Sequence, residues 1–285
     1  MYEDSWQNQD RVTDGLWHST DALYESLEVT SDSSSAMAIN RISKWLSHCL
    51  ENDEQCHIPN PNYMPHRLLN VGSDAGRDPF LFEPTSPVPY VCLSYCWGPD
   101  PIGILKTEQK NLKDHYEGIP LSRLPKTIRD TIFLCRGLNL ENLWIDALCI
   151  VQNDPEAWLQ DAAQMNQVYA NSHLTIAGLE PYYCQGGILG EQKFGQPKWQ
   201  RRIVTDVGVE EGESGYKILL RPGTTTPENS ARSSLDGRGW CLQESILPNC
   251  RICFDGHEMT WECVCRKICE CGHVRWTPDL TNYGK

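Results

Sequence analysis

The feature that most constrains the fold is an alternation of strand-like and helix-like segments between residues 90 and 178. Short apolar runs rich in β-branched or aromatic residues are typical of buried strands, and they occupy 90–95, 143–145 and 174–177. Helical patterns separate them, over 125–137 and from Asp154 to about residue 170. Strand–helix alternation of this kind predicts right-handed crossovers and a parallel sheet with helices on both faces.

The ends of the two helical segments carry residues that begin and end helices. Pro125 begins the first and Gly137 ends it, which is the usual order of proline first and glycine last. Asp154 and Pro155 begin the second, as N-cap and first helical residue. The predicted apolar faces are Ile128, Ile132 and Cys135 on the first helix, and Trp158, Ala162, Met165 and Tyr169 on the second.

Shorter patterns predict additions on both sides of this core. A helix over 36–50 places Ile39, Ile42, Leu46 and Cys49 on one face. Residues 67–71 are a candidate edge strand, and the proline-rich stretch 72–89 is expected to be a loop. Later segments predict a hairpin inserted within 195–235, a short helix over 240–247, and a hairpin of 251–254 and 258–262 around Asp255-Gly256-His257.

These patterns divide the chain into four parts. We expect a flexible acidic lead-in, an N-terminal extension that packs on the core, an α/β domain with one insertion, and a tail. The boundaries are 1–35 for the lead-in, 36–89 for the extension, 90–273 for the domain with its insertion at about 195–235, and 274–285 for the tail.

The composition disfavours two classes of partner. The formal net charge is -13, and an acidic surface repels the nucleic-acid backbone. No apolar run reaches the roughly 18 residues of a membrane helix. The N-terminal sequence MYEDSWQNQD lacks the basic and apolar regions of a signal peptide. We therefore expect a cytoplasmic protein with no membrane and no nucleic-acid partner.

Two groups stand out among the 14 cysteines. Cys92, Cys96, Cys135 and Cys149 lie within apolar runs, where reduced thiols behave as small apolar side chains. The second group is dense and lies near the C-terminal end: Cys263, Cys265, Cys269, Cys271 and His273. Cys49, Cys56 and His57 are candidates to join it. Structural zinc uses such residues, but the Cys-x-Cys gaps are short for one ion. We therefore predict no metal site, and structural zinc is the less favoured alternative.

The motif LSYCWG at 93–98 ends the first predicted strand. It contributes Ser94, Tyr95, Trp97 and Gly98 at the carboxyl end of that strand, where open parallel sheets bind ligands. Gly98 has no side chain and lets the backbone approach a ligand closely. The motif is either a packed transition from strand to loop or a loop that faces a ligand.

Two carboxylates complete the candidate site. Asp146 follows the second strand directly, where a carboxylate more often braces a loop than binds a ribose, and we favour the bracing role from sequence alone. Glu244 lies four residues after Trp240, so both share a face of the predicted helix. Partial desolvation beside the aromatic ring raises a carboxyl pKa and suits acid–base chemistry. A solvated helix glutamate is the alternative.

Together these motifs resemble the HET domain, the heterokaryon-incompatibility domain of filamentous fungi. The matching stretches are LSYCWG, LPKTIRDTI, LWIDALCIVQND, MNQVYANSHLTIAG and RGWCLQES. The flanking stretches WLSHCLENDEQC, PHRLLNV and WECVCRKICECG also resemble segments found beside that domain, so the resemblance covers roughly residues 45–272. The order and spacing of several motifs make it specific.

The resemblance implies a role in non-self recognition, in which HET-domain proteins trigger programmed cell death after incompatible hyphae fuse. The domain is usually an output module that partner domains or proteins switch on. It has been likened to the TIR domain, a flavodoxin-like signalling fold, and this agrees with the predicted alternation. The expected fold is therefore α/β, with a flavodoxin/TIR-like parallel sheet flanked by helices, an N-terminal helical extension and C-terminal β-hairpin additions.

The likeness to TIR domains also implies a chemistry. Some TIR domains hydrolyse NAD with a glutamate in a Trp-x-x-x-Glu-like pattern, which Trp240 and Glu244 match. Glu244 is then catalytic, and NAD+ is a substrate that contacts Ser94, Tyr95, Trp97, Gly98, Asp146 and Trp240. The alternative is a non-enzymatic signalling module that acts by self-assembly or partner recruitment. Both imply a homo-oligomer and a regulatory or sensor protein as partners.

Overall fold

The computed structural model describes residues 28–52, 54–56, 58–73, 76–98, 104–180, 183–193 and 239–271, together with the backbone of 201–203, 218–220 and 274–276. Of residues 239–241 only the backbone is described. Among the described residues, no helix has the length and apolar character that crossing a membrane requires.

Seven α-helices and eleven strands lie in the described part of the chain. The helices are α1 Ala36–Asn52, α2 Leu112–Glu117, α3 Lys126–Gly137, α4 Asp146–Cys149, α5 Pro155–Ala163, α6 Met165–Ala170 and α7 Gly239–Ile246. Two 3-10 helices are Glu54–Cys56 and Leu121–Arg123. The strands are β1 Leu68–Asn70, β2 Phe80–Phe82, β3 Val91–Ser94, β4 Asn142–Trp144, β5 Leu174–Gly178, β6 Arg201–Ile203, β7 Ile218–Leu220, β8 Cys250–Phe254, β9 Met259–Cys263, β10 Lys267–Cys269 and β11 Val274–Trp276.

Nine of these strands form one sheet, in the order β11-β10-β9-β8-β5-β3-β4-β1-β2. Its centre is parallel, because β3 pairs with β4 and β5, and β5 pairs with β8. Numbered in chain order, the four parallel strands β3, β4, β5 and β8 run 2-1-3-4 across the sheet, as in flavodoxin-like folds. The predicted α/β class is confirmed, including the N-terminal helix and the C-terminal β additions.

The N-terminal strands differ from the sequence prediction. β1, expected at the edge, lies inside the sheet between β4 and β2 and is antiparallel to both. The edge strand is β2, which comes from the stretch 72–89 that was expected to be a loop. A run of three residues is too short to show a period, and its strand character comes from the pairing with β1 and the burial of Leu81.

The second predicted helix is two helices, α5 and α6, which meet at Gln164. Its start is as expected, since the Asp154 side chain accepts hydrogen bonds from the backbone N–H groups of Glu156 and Ala157. Of the predicted face, Ala162, Met165 and Tyr169 are buried, but Trp158 is 39% exposed. A single helical period extrapolated across the break at Gln164 therefore places Trp158 wrongly.

The other predicted elements are present. Ile128, Ile132 and Cys135 of α3 are buried, as are Ile42, Leu46 and Cys49 of α1, whereas Ile39 is only partly buried. The inserted hairpin appears as the antiparallel pair β6 and β7, and the later hairpin as β8 and β9. Gly256 in the second turn has a φ of 73°, a conformation that glycine adopts readily.

The cysteines predicted in apolar runs are mostly interior. Cys92, Cys135 and Cys149 are buried and Cys96 is half-buried, all as free thiols. Burial raises the pKa of Cys135 and of Cys149 to about 12, so both stay protonated at neutral pH. Near the C-terminal end, a disulfide joins Cys269 to Cys271.

A buried carboxylate, Glu270, holds the two ends of the described chain together. Its Oε1 accepts hydrogen bonds from Thr30 N (2.8 Å), Thr30 Oγ1 (2.6 Å) and Arg41 Nη1 (2.9 Å). Its Oε2 accepts from Gln192 Nε2 (2.8 Å) and Met259 N (3.3 Å). Residues 28–35, the last part of the predicted lead-in, therefore lie against the core, whereas residues 1–27 fall outside the described chain. The boundaries of the four predicted parts stay predictions.

Candidate functional site

The candidate site lies at the carboxyl ends of β3 and β5. Ser94 is the last residue of β3, and it pairs with Ala177 of β5. The strand order of the parallel centre reverses between these two strands. In open α/β sheets the crevice beyond such a switch point is where ligands bind. The topology therefore places the LSYCWG motif at the position of the sheet where ligands are expected.

Ser94 contacts Glu244 directly in this position. The Ser94 Oγ donates a hydrogen bond to Glu244 Oε2 at 2.6 Å, although the two residues are 150 positions apart in the sequence. Ser94 is 2% exposed and Glu244 is 8% exposed. A buried carboxylate is costly unless it accepts hydrogen bonds, and bonds to a charged acceptor are shorter and stronger than neutral ones. The Ser94 hydroxyl therefore both stabilises and orients this carboxylate.

Glu244 reaches the end of β3 from α7, a helix that packs against α6. Leu242 and Ile246, one helical turn apart, are 63% and 66% exposed, so Glu244 between them points to the opposite side. The end of α7 is fixed by Asn249, whose Nδ2 donates to the carbonyl oxygen of Ala170 at 3.0 Å. The backbone of Trp240 lies in the same helix, and its side chain falls outside the described part of the chain.

A second pair joins the loop after β3 to the turn after β4. The Trp97 Nε1 donates to both oxygens of Asp146, at 3.0 Å and 3.1 Å. The same carboxylate accepts from the backbone N–H of Ala147 at 2.7 Å. Asp146 and Trp97 are both half-buried. This geometry is that of a loop-bracing carboxylate, and a contact of Asp146 with a ribose stays a proposal.

The remaining residues of the first loop have different surroundings. Tyr95 is 4% exposed and therefore packs inside the domain. The carbonyl oxygen of Trp97 accepts from the backbone N–H of Cys184 at 3.4 Å. Gly98 has a φ of 111°, a conformation that side chains disfavour. That backbone conformation is by itself a sufficient reason for glycine, whatever the loop binds.

Cys92 is the thiol of β3 and is not a nucleophile. Burial raises its pKa well above the usual range, and the charge of Glu244 adds to the rise. Its Sγ lies 3.7 Å from the carbonyl oxygen of Val168, to which it donates. A neutral, fully buried thiol has little nucleophilic character.

Sequence reasoning did not single out Gln152, which supports the site. Its Nε2 donates to the carbonyl oxygens of Asp146 (2.9 Å) and Ile150 (3.1 Å) and so holds the turn that carries the Asp146 carboxylate. A signal for Gln152 was available in the sequence, because it is a polar residue directly after the apolar run that follows β4. Cys184 was missed as well, and its contact through the backbone leaves no signal in the sequence.

A cavity of about 260 Å³ lies elsewhere in the molecule. None of Ser94, Trp97, Asp146 and Glu244 lines it. Two of its lining residues, Arg67 and Asp161, already pair, because Arg67 donates to Asp161 Oδ2 and to the carbonyl oxygen of Cys149, both at 2.9 Å. The lining residues are Tyr63, Met64, His66, Arg67, Trp144, Cys149, Ile150, Asp161, Gln164 and Val168. The candidate site therefore stays at the end of β3.

We expect Trp97→Phe to lower the free energy of unfolding by about 1–2 kcal/mol, because phenylalanine keeps a six-membered aromatic ring but removes the indole N–H that donates to the Asp146 carboxylate. Urea unfolding followed by circular dichroism measures the change. Trp158→Phe is the matched control, since Trp158 is 39% exposed and its loss is expected to change stability by less than about 0.5 kcal/mol. Equal effects of the two variants contradict the bracing role.

The comparisons with known proteins agree with this architecture. The family model described as "Heterokaryon incompatibility protein (HET)" matches residues 90–244, more than half of the chain, and both Ser94 and Glu244 lie within the match. No curated protein and no solved structure matches the chain. The chain therefore belongs to the heterokaryon incompatibility (HET) family, which implies involvement in heterokaryon incompatibility.

Proposed function

We propose that this chain is an output domain of fungal non-self recognition that triggers programmed cell death by hydrolysing NAD+. One observation carries the proposal. The Glu244 carboxylate is buried, accepts a 2.6 Å hydrogen bond from Ser94, and lies at the switch point of a sheet with flavodoxin-like strand order. A carboxylate held in this way is preorganised, and buried carboxylates in such positions are candidates for catalysis.

The proposed reaction replaces nicotinamide by water. The bond between the ribose C1′ and the nicotinamide nitrogen breaks, and its electron pair leaves with nicotinamide. A water oxygen then bonds to C1′ and releases a proton, which gives ADP-ribose. Positive charge develops on the ribose as the bond breaks, so a fixed carboxylate stabilises the transition state more than the ground state. Glu244 has this role, and it also orients the ribose by accepting from a hydroxyl.

The neighbouring residues have supporting roles in this proposal. Ser94 is a positioning residue, because it acts on the substrate through Glu244. Trp97 and Asp146 form the adjacent wall, where a half-buried indole offers an aromatic face to a nicotinamide or adenine ring. Gly98 and Trp240 complete the proposed contacts with NAD+, whereas Tyr95 supports the loop from inside the domain.

A non-enzymatic assembly module is the second candidate, and the outer face of α7 favours it. Leu242 and Ile246 are more than 60% exposed on the side opposite Glu244. Leu159 of α5 is 66% exposed as well. Exposed apolar side chains that cluster often mark protein contacts. In this candidate, death follows from self-assembly or from recruitment of a regulatory or sensor protein.

Nicotinamide release by the purified chain, measured over a range of protein concentrations, distinguishes the two candidates. The enzyme produces nicotinamide and ADP-ribose in equal amounts, and its specific activity rises with concentration if a homo-oligomer is the active form. Light scattering in the same samples reports assembly. Leu242→Lys is expected to weaken assembly, and Phe133→Lys, at another exposed apolar position, is the control. Assembly without any loss of NAD+ contradicts the enzymatic proposal.

A further inference from the structure

A cluster of cysteine thiols lies where α1 packs on β9. The rings of Trp45 and Trp261 are 6.3 Å apart at this contact. Cys49 is one helical turn after Trp45, and Cys263 is two residues after Trp261 on the strand. Each cysteine therefore shares a face with its tryptophan. Helix and strand periodicity together bring the two sulfur atoms to the same place.

Two further thiols join them from short connections. Cys56 ends the 3-10 helix Glu54–Cys56, and Cys265 lies in the turn between β9 and β10. The Sγ atoms of Cys49, Cys56 and Cys263 all lie within 4.8 Å of one another. The Sγ atoms of Cys56 and Cys265 are 3.7 Å apart. Four sulfurs bound to one zinc ion at about 2.3 Å in a tetrahedron lie about 3.8 Å from each other.

The short gap between Cys263 and Cys265 does not prevent both from facing one point. The backbone N–H of Cys263 donates to the carbonyl oxygen of Arg266 at 2.9 Å, so the chain reverses direction between the two cysteines. The sequence prediction counted this gap against a metal site, because it treated the spacing without the turn. The turn brings Cys265 back toward the group, and its Sγ reaches that of Cys56 at 3.7 Å.

Cys250 is a fifth thiol nearby, opposite Cys263 in the β8–β9 register. Its Sγ already donates a hydrogen bond to the carbonyl oxygen of His173 at 3.4 Å. Zinc binds the thiolate form. Cys263 differs, because its sulfur accepts hydrogen bonds from the backbone N–H groups of Cys265 and Arg266. Similar hydrogen bonds support metal-bound sulfur in other proteins.

We propose that Cys49, Cys56, Cys263 and Cys265 bind one Zn²⁺ ion in a tetrahedral structural site. Four protein ligands leave no open position, which is the mark of a structural ion and not of a catalytic one. The ion joins the N-terminal extension to the end of the sheet, across 209 residues between Cys56 and Cys265. Cys269 and Cys271 do not contribute, because their sulfur atoms lie in a separate group with Glu258. The site is independent of Glu244 and of NAD+.

Elemental analysis of the full chain, expressed without a metal-binding tag and purified under reducing conditions, tests the site. We expect about one zinc ion per chain and no stoichiometric iron, the other common ion for four thiolates. Cys56→Ala and Cys265→Ala are each expected to lose most of the zinc. Cys250→Ala and the half-buried Cys96→Ala are matched controls that keep it. Absence of zinc from the wild-type chain overturns the site, and loss of zinc in Cys250→Ala but not in Cys265→Ala overturns the ligand set.

A second measurement uses the wild-type chain alone, in case the variants do not fold. Zinc is removed with a chelator under reducing conditions and Co²⁺ is added. Four thiolates around cobalt give strong sulfur-to-metal charge-transfer bands and the intense visible bands of a tetrahedral ion, and added Zn²⁺ abolishes both. Binding of Co²⁺ or Zn²⁺ to the metal-free chain is also expected to raise its thermal unfolding midpoint. Weak octahedral cobalt bands, or no cobalt uptake by the reduced chain, overturn the proposal.

Discussion

Replacing Glu244 with glutamine is expected to lower the rate of nicotinamide release about 10²- to 10³-fold, the usual effect of removing one preorganised electrostatic group. Glutamine has nearly the same size, and its amide oxygen still accepts the hydrogen bond from Ser94. The variant lacks the negative charge, which in the proposed reaction faces the ribose. The loss is therefore expected in kcat, with a small change in KM.

The control for Glu244→Gln is Glu156→Gln, which removes a carboxylate from the exposed side of α5 and is expected to leave the rate unchanged. Unfolding midpoints of both variants show whether the fold is intact. Glu244→Gln with a normal midpoint and at least half of the wild-type rate means that Glu244 is structural.

Ser94→Ala separates orientation from charge in the same experiment. It removes the hydroxyl that donates to Glu244, so we expect a smaller loss in kcat of roughly tenfold. If Ser94 acts through Glu244, then the double variant is no slower than Glu244→Gln alone, because coupled residues are not additive. An additive loss would assign Ser94 a separate contact with the substrate.

Replacing Glu270 with alanine is expected to lower the free energy of unfolding by about 3–5 kcal/mol, the usual effect of breaking a buried ion pair. Glu270 is 0% exposed and accepts hydrogen bonds from Thr30, Arg41, Gln192 and Met259. Its removal leaves the Arg41 guanidinium and several N–H groups without this acceptor. Urea unfolding measures the loss.

Glu191→Ala is the control for this prediction, since Glu191 is exposed in the segment next to Gln192. Its effect is expected to stay within about 0.5 kcal/mol. The loss of stability in Glu270→Gln is expected to lie between those of Glu270→Ala and Glu191→Ala, because glutamine keeps two polar atoms in the same volume but lacks the charge. A loss below about 1 kcal/mol in Glu270→Ala would mean that residues 28–33 contribute little to the stability of the core.

The secondary structure of the central domain was predictable because its signals are local. The strands at 91–94 and 174–178 are apolar runs buried on both faces, and the helix caps at Asp154 and Pro155 act within one turn. The failures have local reasons too. The strand Phe80–Phe82 is too short to show a period in its sequence. The break at Gln164 interrupts the helical period of the second predicted helix, and Trp158 is therefore exposed although it was predicted on the buried face.

The sequence by itself determined most of the central elements, the α/β class and, through the order of its motifs, the family. It also placed Glu244 on a short helix and Ser94 at the end of a strand. Only the tertiary structure decided that these two side chains share a 2.6 Å hydrogen bond, that the thiols of Cys49, Cys56 and Cys263 meet, and that Cys265 contacts Cys56. The reason is physical. Periods and caps act over a few residues, whereas partners 150 and 209 positions apart are set by strand order and by the packing of α1 and α7.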